Sequence, residues 1–324
     1  MTAGEKTETI EEEKNPPLID PYSRQIDYLR ISLTQNCNHA CFFCHHEGES
    51  GIGREMTPVE IENLVRVANQ RGVRRIKLTG GEALVRDDII DIVRRLSPLT
   101  EDLSLTTNGS KLEELAVSLK EAGLNRVNVS LHTLKPDLHE SITGRNNLES
   151  VKRGIESAIQ VGLHPVKINM AVLRGLNVDE IPELMKYAGQ IGAILQLIEL
   201  QTLSGDEEGK EFWFDLTSIE DDLRKRASHI DQRSLHGRKQ YTVPVGNINV
   251  KIEVVKPNHN QSFCQRCTRL RVTSDGKLKP CLLRQDNLVE VHSLLENESP
   301  DALVNEALER AVRLREPFWK GDDE

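Results

Sequence analysis

Residues 27–44 read DYLRISLTQNCNHACFFC. The first eight, Asp27–Thr34, set Leu29, Ile31 and Leu33 on one face, the period-two pattern of a short strand. Cys37, Cys41 and Cys44 follow it directly, spaced C-x3-C-x2-C. Three thiolates at a strand end can hold three irons of an iron–sulfur cluster and leave the fourth open to a ligand. A structural zinc site would want a fourth protein ligand. His39, His45 and His46 are near enough in sequence to keep zinc open at this point.

Outward from this stretch, helix-like and strand-like segments alternate. Thr57–Gly72 reads as a helix, with Thr57 as N-cap, Pro58 first, Glu60 completing a capping box and Gly72 ending it. Strands are expected at Arg74–Thr79, Leu103–Thr107, Arg126–Leu131, Pro165–Val172 and Ile194–Leu200. Between them the pattern predicts helices near Asp87–Leu96, Lys111–Ala122, Leu148–Val161 and Asp179–Gly189. Six strands separated by helices argue for parallel βα units, in a doubly wound sheet or part of a β/α barrel. In either, the site lies at the carboxyl ends of the strands. Those ends carry Thr79-Gly80-Gly81-Glu82, Thr106-Thr107-Asn108-Gly109, Ser130-Leu131-His132, and Lys167 with Asn169.

Beyond residue 204 the rhythm changes. A loop Gly205–Gly209 precedes a helix near Leu216–Arg226, and Gln240–Val245 and Ile248–Val254 read as a hairpin turning at Gly246-Asn247. A second hairpin, Thr268–Thr273 with Lys277–Pro280, turns at Asp275-Gly276. A helix near Asp301–Arg313 closes the pattern. Around the second hairpin stand Cys264, Cys267 and Cys281, spaced C-x2-C-x13-C, and no cysteine falls between residues 45 and 263. Residues 264–284 carry six cations and one acid, a local charge of +5 in a chain of net charge −9. The second triplet therefore sits where a small polyanion would bind. A net charge of −9 argues against general affinity for nucleic acid.

Residues 1 to about 20 are acidic and end in Pro16 and Pro17, the composition of a disordered tail. They lack a signal-peptide pattern and no apolar run approaches a membrane span, which points to the cytoplasm and away from membranes. In a reducing compartment, clustered cysteines are metal ligands or redox groups more often than disulfides.

Cys37–Cys44 together with Gly80-Gly81-Glu82 resembles the radical S-adenosylmethionine (SAM) superfamily. The resemblance implies a partial, six-stranded (βα)6 TIM-like barrel in residues 21–235. It implies a [4Fe–4S] cluster on Cys37, Cys41 and Cys44 whose open iron binds SAM, and Phe43, Gly81 and Ser130 match SAM-contacting positions. The superfamily cleaves SAM with one electron to a 5′-deoxyadenosyl radical, which removes a hydrogen atom from the substrate. An external electron donor is implied.

The second triplet, with Arg269 and Arg271 just past Cys267, is similar to a narrower family, GTP 3′,8-cyclase of molybdenum cofactor biosynthesis. That resemblance runs from about Asp20 to Leu314. It implies a second [4Fe–4S] cluster on Cys264, Cys267 and Cys281, in a small C-terminal β/α extension of residues 236–324, that contacts the guanine of GTP. Arg30, Lys77, Thr106, Lys167, Arg269 and Arg271 match substrate-side positions, and a homodimer is an expectation. The chain departs from bacterial members at Gln196 and Gln201, where they tend to have arginine and methionine, and it ends in Lys320-Gly321-Asp322-Asp323-Glu324 instead of Gly-Gly. Two other readings compete. One is a radical SAM maturase acting on a peptide or protein, which usually carries more cysteines. The other is a non-catalytic zinc-stabilised protein whose fourth ligand at the second triplet is His259 or His292.

Overall fold

The computed structural model describes residues 16–49, 53–201, 210–233, 237–258, 260–297 and 300–319. The loop expected at Gly205–Gly209 lies outside them. Six parallel strands follow one another in sequence order: β1 (Tyr28–Ser32), β2 (Arg75–Thr79), β3 (Asp102–Thr107), β4 (Arg126–Ser130), β5 (Lys167–Val172) and β6 (Ile194–Glu199). Helices Pro58–Gln70, Ile89–Leu96, Leu112–Glu121, Leu148–Gln160 and Ile181–Gln190 connect them, with a further helix, Pro136–Thr143, after β4.

The strands alternate strictly between two environments. Leu29, Ile31, Ile76, Leu78, Leu103, Leu105, Val127, Val129, Ile168, Met170, Leu195 and Leu197 are buried in the hydrophobic core. Most of the intervening positions, among them Arg30, Lys77, Thr106, Asn128, Lys167 and Gln196, line a cavity. An all-parallel sheet with helices on both faces would be apolar on both; here one face is reserved for polar chemistry.

Strands from the last third of the chain extend the sheet at both edges. These are β7 (His229–Gln232), β8 (Lys239–Val245), β9 (Ile248–Val255), β10 (Arg269–Val272), β11 (Lys277–Lys279) and β12 (Val289–Glu290). The order is β12-β11-β10-β1-β2-β3-β4-β5-β6-β9-β8-β7. Both expected hairpins are present, and each also joins the parallel core. β9 pairs parallel with β6, and β10 pairs parallel with β1 in the register Tyr28↔Arg269 and Arg30↔Arg271. The sequence reading missed these pairings because nothing local reports a partner 57 residues away, as for β6 and β9, or 241 away, as for β1 and β10.

The capping box forms as expected: Thr57 Oγ1 accepts from the Glu60 amide, and the Glu60 carboxylate accepts from the Thr57 amide at 2.7 Å. The closing helix, Asp301–Arg313, packs on Pro58–Gln70 and is tied to it by Arg66 donating twice to Asp301. The end of the expected tail is corrected. Leu18 and Asp20 are buried, the first in the hydrophobic core and the second as an ion-pair partner. Polar composition alone cannot separate a solvated acid from one that meets arginines in the fold.

Candidate active site

One cavity of about 640 Å³ is lined by all six cysteines and by every residue the sequence singled out for SAM or GTP. The cysteine loop is seated by the glycines at the end of β2. A Cβ on Gly81 would stand 2.3 Å from the Asn36 carbonyl oxygen, and one on Gly80 2.6 Å from that of Thr34. Only glycine lets these backbones touch. The Gly81 amide donates to Thr34 O at 2.7 Å and the Glu82 amide to Asn36 O at 2.8 Å. Buried Glu82 ties this point to the end of β3, accepting from Thr107 Oγ1 at 2.7 Å and the Asn108 amide at 2.6 Å. Phe43 packs edge-on against His132 with centroids 5.1 Å apart, and Ser130 ends β4 across from Asn169.

The donor sets suit clusters. The amides of His39 and His46 donate toward Cys37 Sγ and Cys44 Sγ, each at 3.4 Å. Burial, and then the nearness of Cys44 and Cys37, pushes the Cys41 thiol up to about 12. Three crowded thiols of this kind ionise when a cationic centre replaces their protons. Among the described residues, the only three His, Cys, Asp or Glu ligand atoms within 4.8 Å of one another belong to Glu60, His292 and Glu296. In neither triplet, therefore, do all three sulfurs lie within 4.8 Å of one another, whereas tetrahedral zinc–thiolate bonds would bring every pair to roughly 3.8 Å. Of the histidines that could supply a fourth zinc ligand, His39 meets Asn147 at 3.0 Å, and His292 meets Glu60 at 3.4 Å and the Asp275 carbonyl at 3.2 Å, whereas the buried Nδ1 of His45 has no partner among the described residues. His259 lies outside the described residues.

The second triplet is set among arginines. Burial raises the Cys267 thiol, but Arg315, Arg269, the Arg269 amide and Arg24 outweigh it and hold it below its ordinary value. Arg24 Nη1 donates to the Cys264 carbonyl at 2.7 Å and Arg315 Nη2 to that of Cys267 at 2.8 Å. Asp20 sits between the two, 2.7 Å from Arg24 and 2.6 Å from Arg315, with no exposed side-chain surface. Sequence reading missed this triad, because Arg315 lies 295 residues from Asp20. We predict that Asp20→Asn lowers stability by about 3–5 kcal/mol, because it strips the counter-charge from two buried guanidiniums. Denaturant unfolding of the variant would check this, and a loss under about 1 kcal/mol would contradict it.

Parallel register places the substrate-side cations next to one another. Arg271, Arg30 and Lys77 are successive cross-strand partners on β10, β1 and β2. Arg30 and Arg271 share a carboxylate the sequence did not single out. Glu47 accepts from Arg30 Nε at 3.0 Å and Arg271 Nη1 at 2.8 Å, and also from Thr79 Oγ1. It rides a tight turn in which His46, Glu47 and Gly48 all have positive φ. Lys77 is buried and donates to Asn128 Oδ1 at 2.8 Å. Burial, with Arg126, Arg30, Lys167 and Arg269 nearby, pulls its ammonium well below the ordinary range. Lys167 pairs with Glu253 at 2.6 Å, and Arg269 lies over the Tyr28 ring at 5.0 Å. Gln196 donates to Glu253 at 2.7 Å. Thr106 and Gln201 line the same cavity.

Comparison with known proteins bears on this arrangement. The Radical SAM superfamily model matches residues 31–188, and the Molybdenum Cofactor Synthesis C model matches residues 193–320. A Thermococcus kodakarensis protein named probable GTP 3′,8-cyclase is 49% identical over 94% of this chain and 100% of its own length. Proteins of the same name from Methanothermobacter marburgensis and Archaeoglobus fulgidus are 47% and 44% identical, over 93% and 94% of this chain and 98% and 100% of theirs. Among solved structures, Streptococcus suis SuiB bound to S-adenosylmethionine has a TM-score of 0.64 at 18% identity, covering 89% of this chain and 68% of that one. The likeness shows the radical SAM α/β fold. No helix among the described residues is long and apolar enough to cross a membrane.

Proposed function

The chain belongs to the GTP 3′,8-cyclase family of radical SAM enzymes, and on that premise we propose how its cavity converts GTP to 3′,8-cyclo-7,8-dihydro-GTP, the first step toward the molybdenum cofactor. The observation that carries this reading is that both cysteine triplets and a dense set of cations line one cavity.

Cys37, Cys41 and Cys44 would hold a [4Fe–4S] cluster, with SAM beside Phe43, Gly81 and Ser130. Cys264, Cys267 and Cys281 would hold a second, next to the guanine. When bound, the first cluster supplies the electron that cleaves SAM, so that a hydrogen atom can be taken from the ribose of GTP; the protein supplies orientation and water exclusion. Arg30, Lys77, Thr106, Lys167, Arg269 and Arg271 would hold the nucleotide. Glu47 keeps Arg30 and Arg271 fixed, so no entropy is spent ordering them when substrate arrives. Residues 315–319 also line the cavity, with Trp319 Nε1 donating to the Pro257 carbonyl at 3.0 Å. They help to exclude water.

We read β1–β6 as a partial barrel. In its support, Arg238, beside β8, and Arg269, on β10, lie toward opposite ends of the strand order yet are close enough to repel each other. Residues 21–235 and 236–324 are then functional halves, core and extension, of one continuous sheet. An external protein or small reductant must deliver the electron.

The test is a product assay with reduced, cluster-loaded protein, SAM and GTP. It should yield 5′-deoxyadenosine and a cyclised nucleotide, from protein holding about eight irons per chain. Equal turnover of ATP would remove the guanine-binding role from the second cluster.

A further inference from the structure

Between β6, β9 and the start of β8 lies a buried ionic cluster centred on Glu253, whose residue has no exposed surface. Its two oxygens accept from Lys167 Nζ at 2.7 and 2.6 Å, Gln196 Nε2 at 2.7 Å, Gln240 Nε2 at 2.7 Å and Arg233 Nε at 3.3 Å. A carboxylate offers about four lone-pair sites, so this one is fully used. Arg238 stands next in line and is not among its hydrogen-bond partners. Its Nη1 reaches only to 3.9 Å from Glu253 Oε2, and its buried Nε donates to nothing among the described residues. Its side chain is 16% exposed and lines the cavity.

A buried guanidinium with a spent counter-ion and an unspent donor is costly unless a ligand completes it. Two neighbours share the condition. Arg269 Nε also lacks a partner among the described residues, and Lys77, with three donors, meets only the neutral amide of Asn128 among them. Arg238 and Arg269 repel each other, as do Arg269 and Lys77. The same end of the cavity holds Arg126, whose charge is met by Asp102. Three cations from separate parts of the chain thus line one cavity with donors to spare, and Glu253, the acid within 4 Å of Arg238, is already taken.

We propose that Arg238 is a phosphate-binding residue of the nucleotide site, acting with Arg269 and Lys77 on the triphosphate and so setting its preference for a polyphosphorylated nucleotide. The inference rests on the GTP reading above, but only for the identity of the nucleoside. Guanidinium is suited to the task because its planar donors can meet two phosphate oxygens at once, which lysine cannot do.

The experiment is calorimetric titration of full-length, cluster-loaded Arg238→Gln and Arg238→Lys with GTP, guanosine and inorganic tripolyphosphate, beside thermal unfolding of each variant. Arg238→Gln should lose about ten- to a hundredfold in affinity for GTP and tripolyphosphate, keep its affinity for guanosine and unfold as the wild type does. Arg238→Lys should keep part of the lost affinity. Undiminished tripolyphosphate binding in Arg238→Gln would overturn the proposal. So would equal loss of all three ligands with a lowered unfolding temperature, which would make Arg238 a prop for Glu253. A wild type that binds tripolyphosphate but not GTP, with the same loss in Arg238→Gln, would keep the anion site and overturn the nucleotide reading.

Discussion

Cys267→Ser should abolish formation of cyclised nucleotide, by more than about a thousandfold, while uncoupled cleavage of SAM to 5′-deoxyadenosine continues, because no side chain can substitute for a lost cluster. Cys267 is the second-triplet thiol that surrounding arginines hold below its ordinary value. Serine keeps the backbone carbonyl that receives Arg315, so the local fold should survive. Iron content should fall from about eight to about four per chain. Equal loss of both reactions would mean that the fold had collapsed, and undiminished cyclisation would deny the second cluster any part in binding substrate.

Cys41→Ser should produce the complementary result. Cleavage of SAM and cyclisation should both disappear, again by more than about a thousandfold, while GTP still binds. Cys41 lies in the loop seated on Gly80 and Gly81, and its thiol is not among the groups that hold Arg30 and Arg271, which pair with Glu47. Its removal leaves the Lys77, Lys167 and Glu253 contacts untouched. Iron should again fall by about half. Calorimetry with GTP separates the outcomes: retained binding without turnover supports distinct tasks for the two triplets. Retained SAM cleavage would remove the first triplet from the chemistry.

Much of the fold was legible along the chain because the signals are local. All six core strands and the helix that begins at Thr57 follow from period and capping. Period two also agrees with which strand residues face the cavity, since Arg30, Lys77 and Lys167 each sit between buried apolar neighbours. Misread or unseen were the features made by distant partners. Asp20 looked like part of a polar tail until two arginines, one of them 295 residues away, enclosed it. Glu47 looked like an ordinary loop acid, yet it holds together Arg30 and Arg271, which reach it from two strands. Arg238 and Glu253 carried no motif at all.

The sequence by itself determined the chemistry on offer: two cysteine triplets, glycines that admit the first to a strand end, and a cationic stretch around the second. Spacing and residue type suffice for that, because ligand chemistry and local backbone freedom belong to a few consecutive residues. Only the tertiary structure decided that the two triplets share one cavity. β10 inserts beside β1 and β9 beside β6, so a segment from the last third of the chain brings Cys264, Cys267 and Cys281 to the space bordered by Cys37, Cys41 and Cys44. The physical reason is that pairing of edge strands is set by backbone hydrogen bonds and by the long-range burial of Leu270 and Val272. These terms depend on which surfaces meet, and no stretch of sequence taken alone contains both.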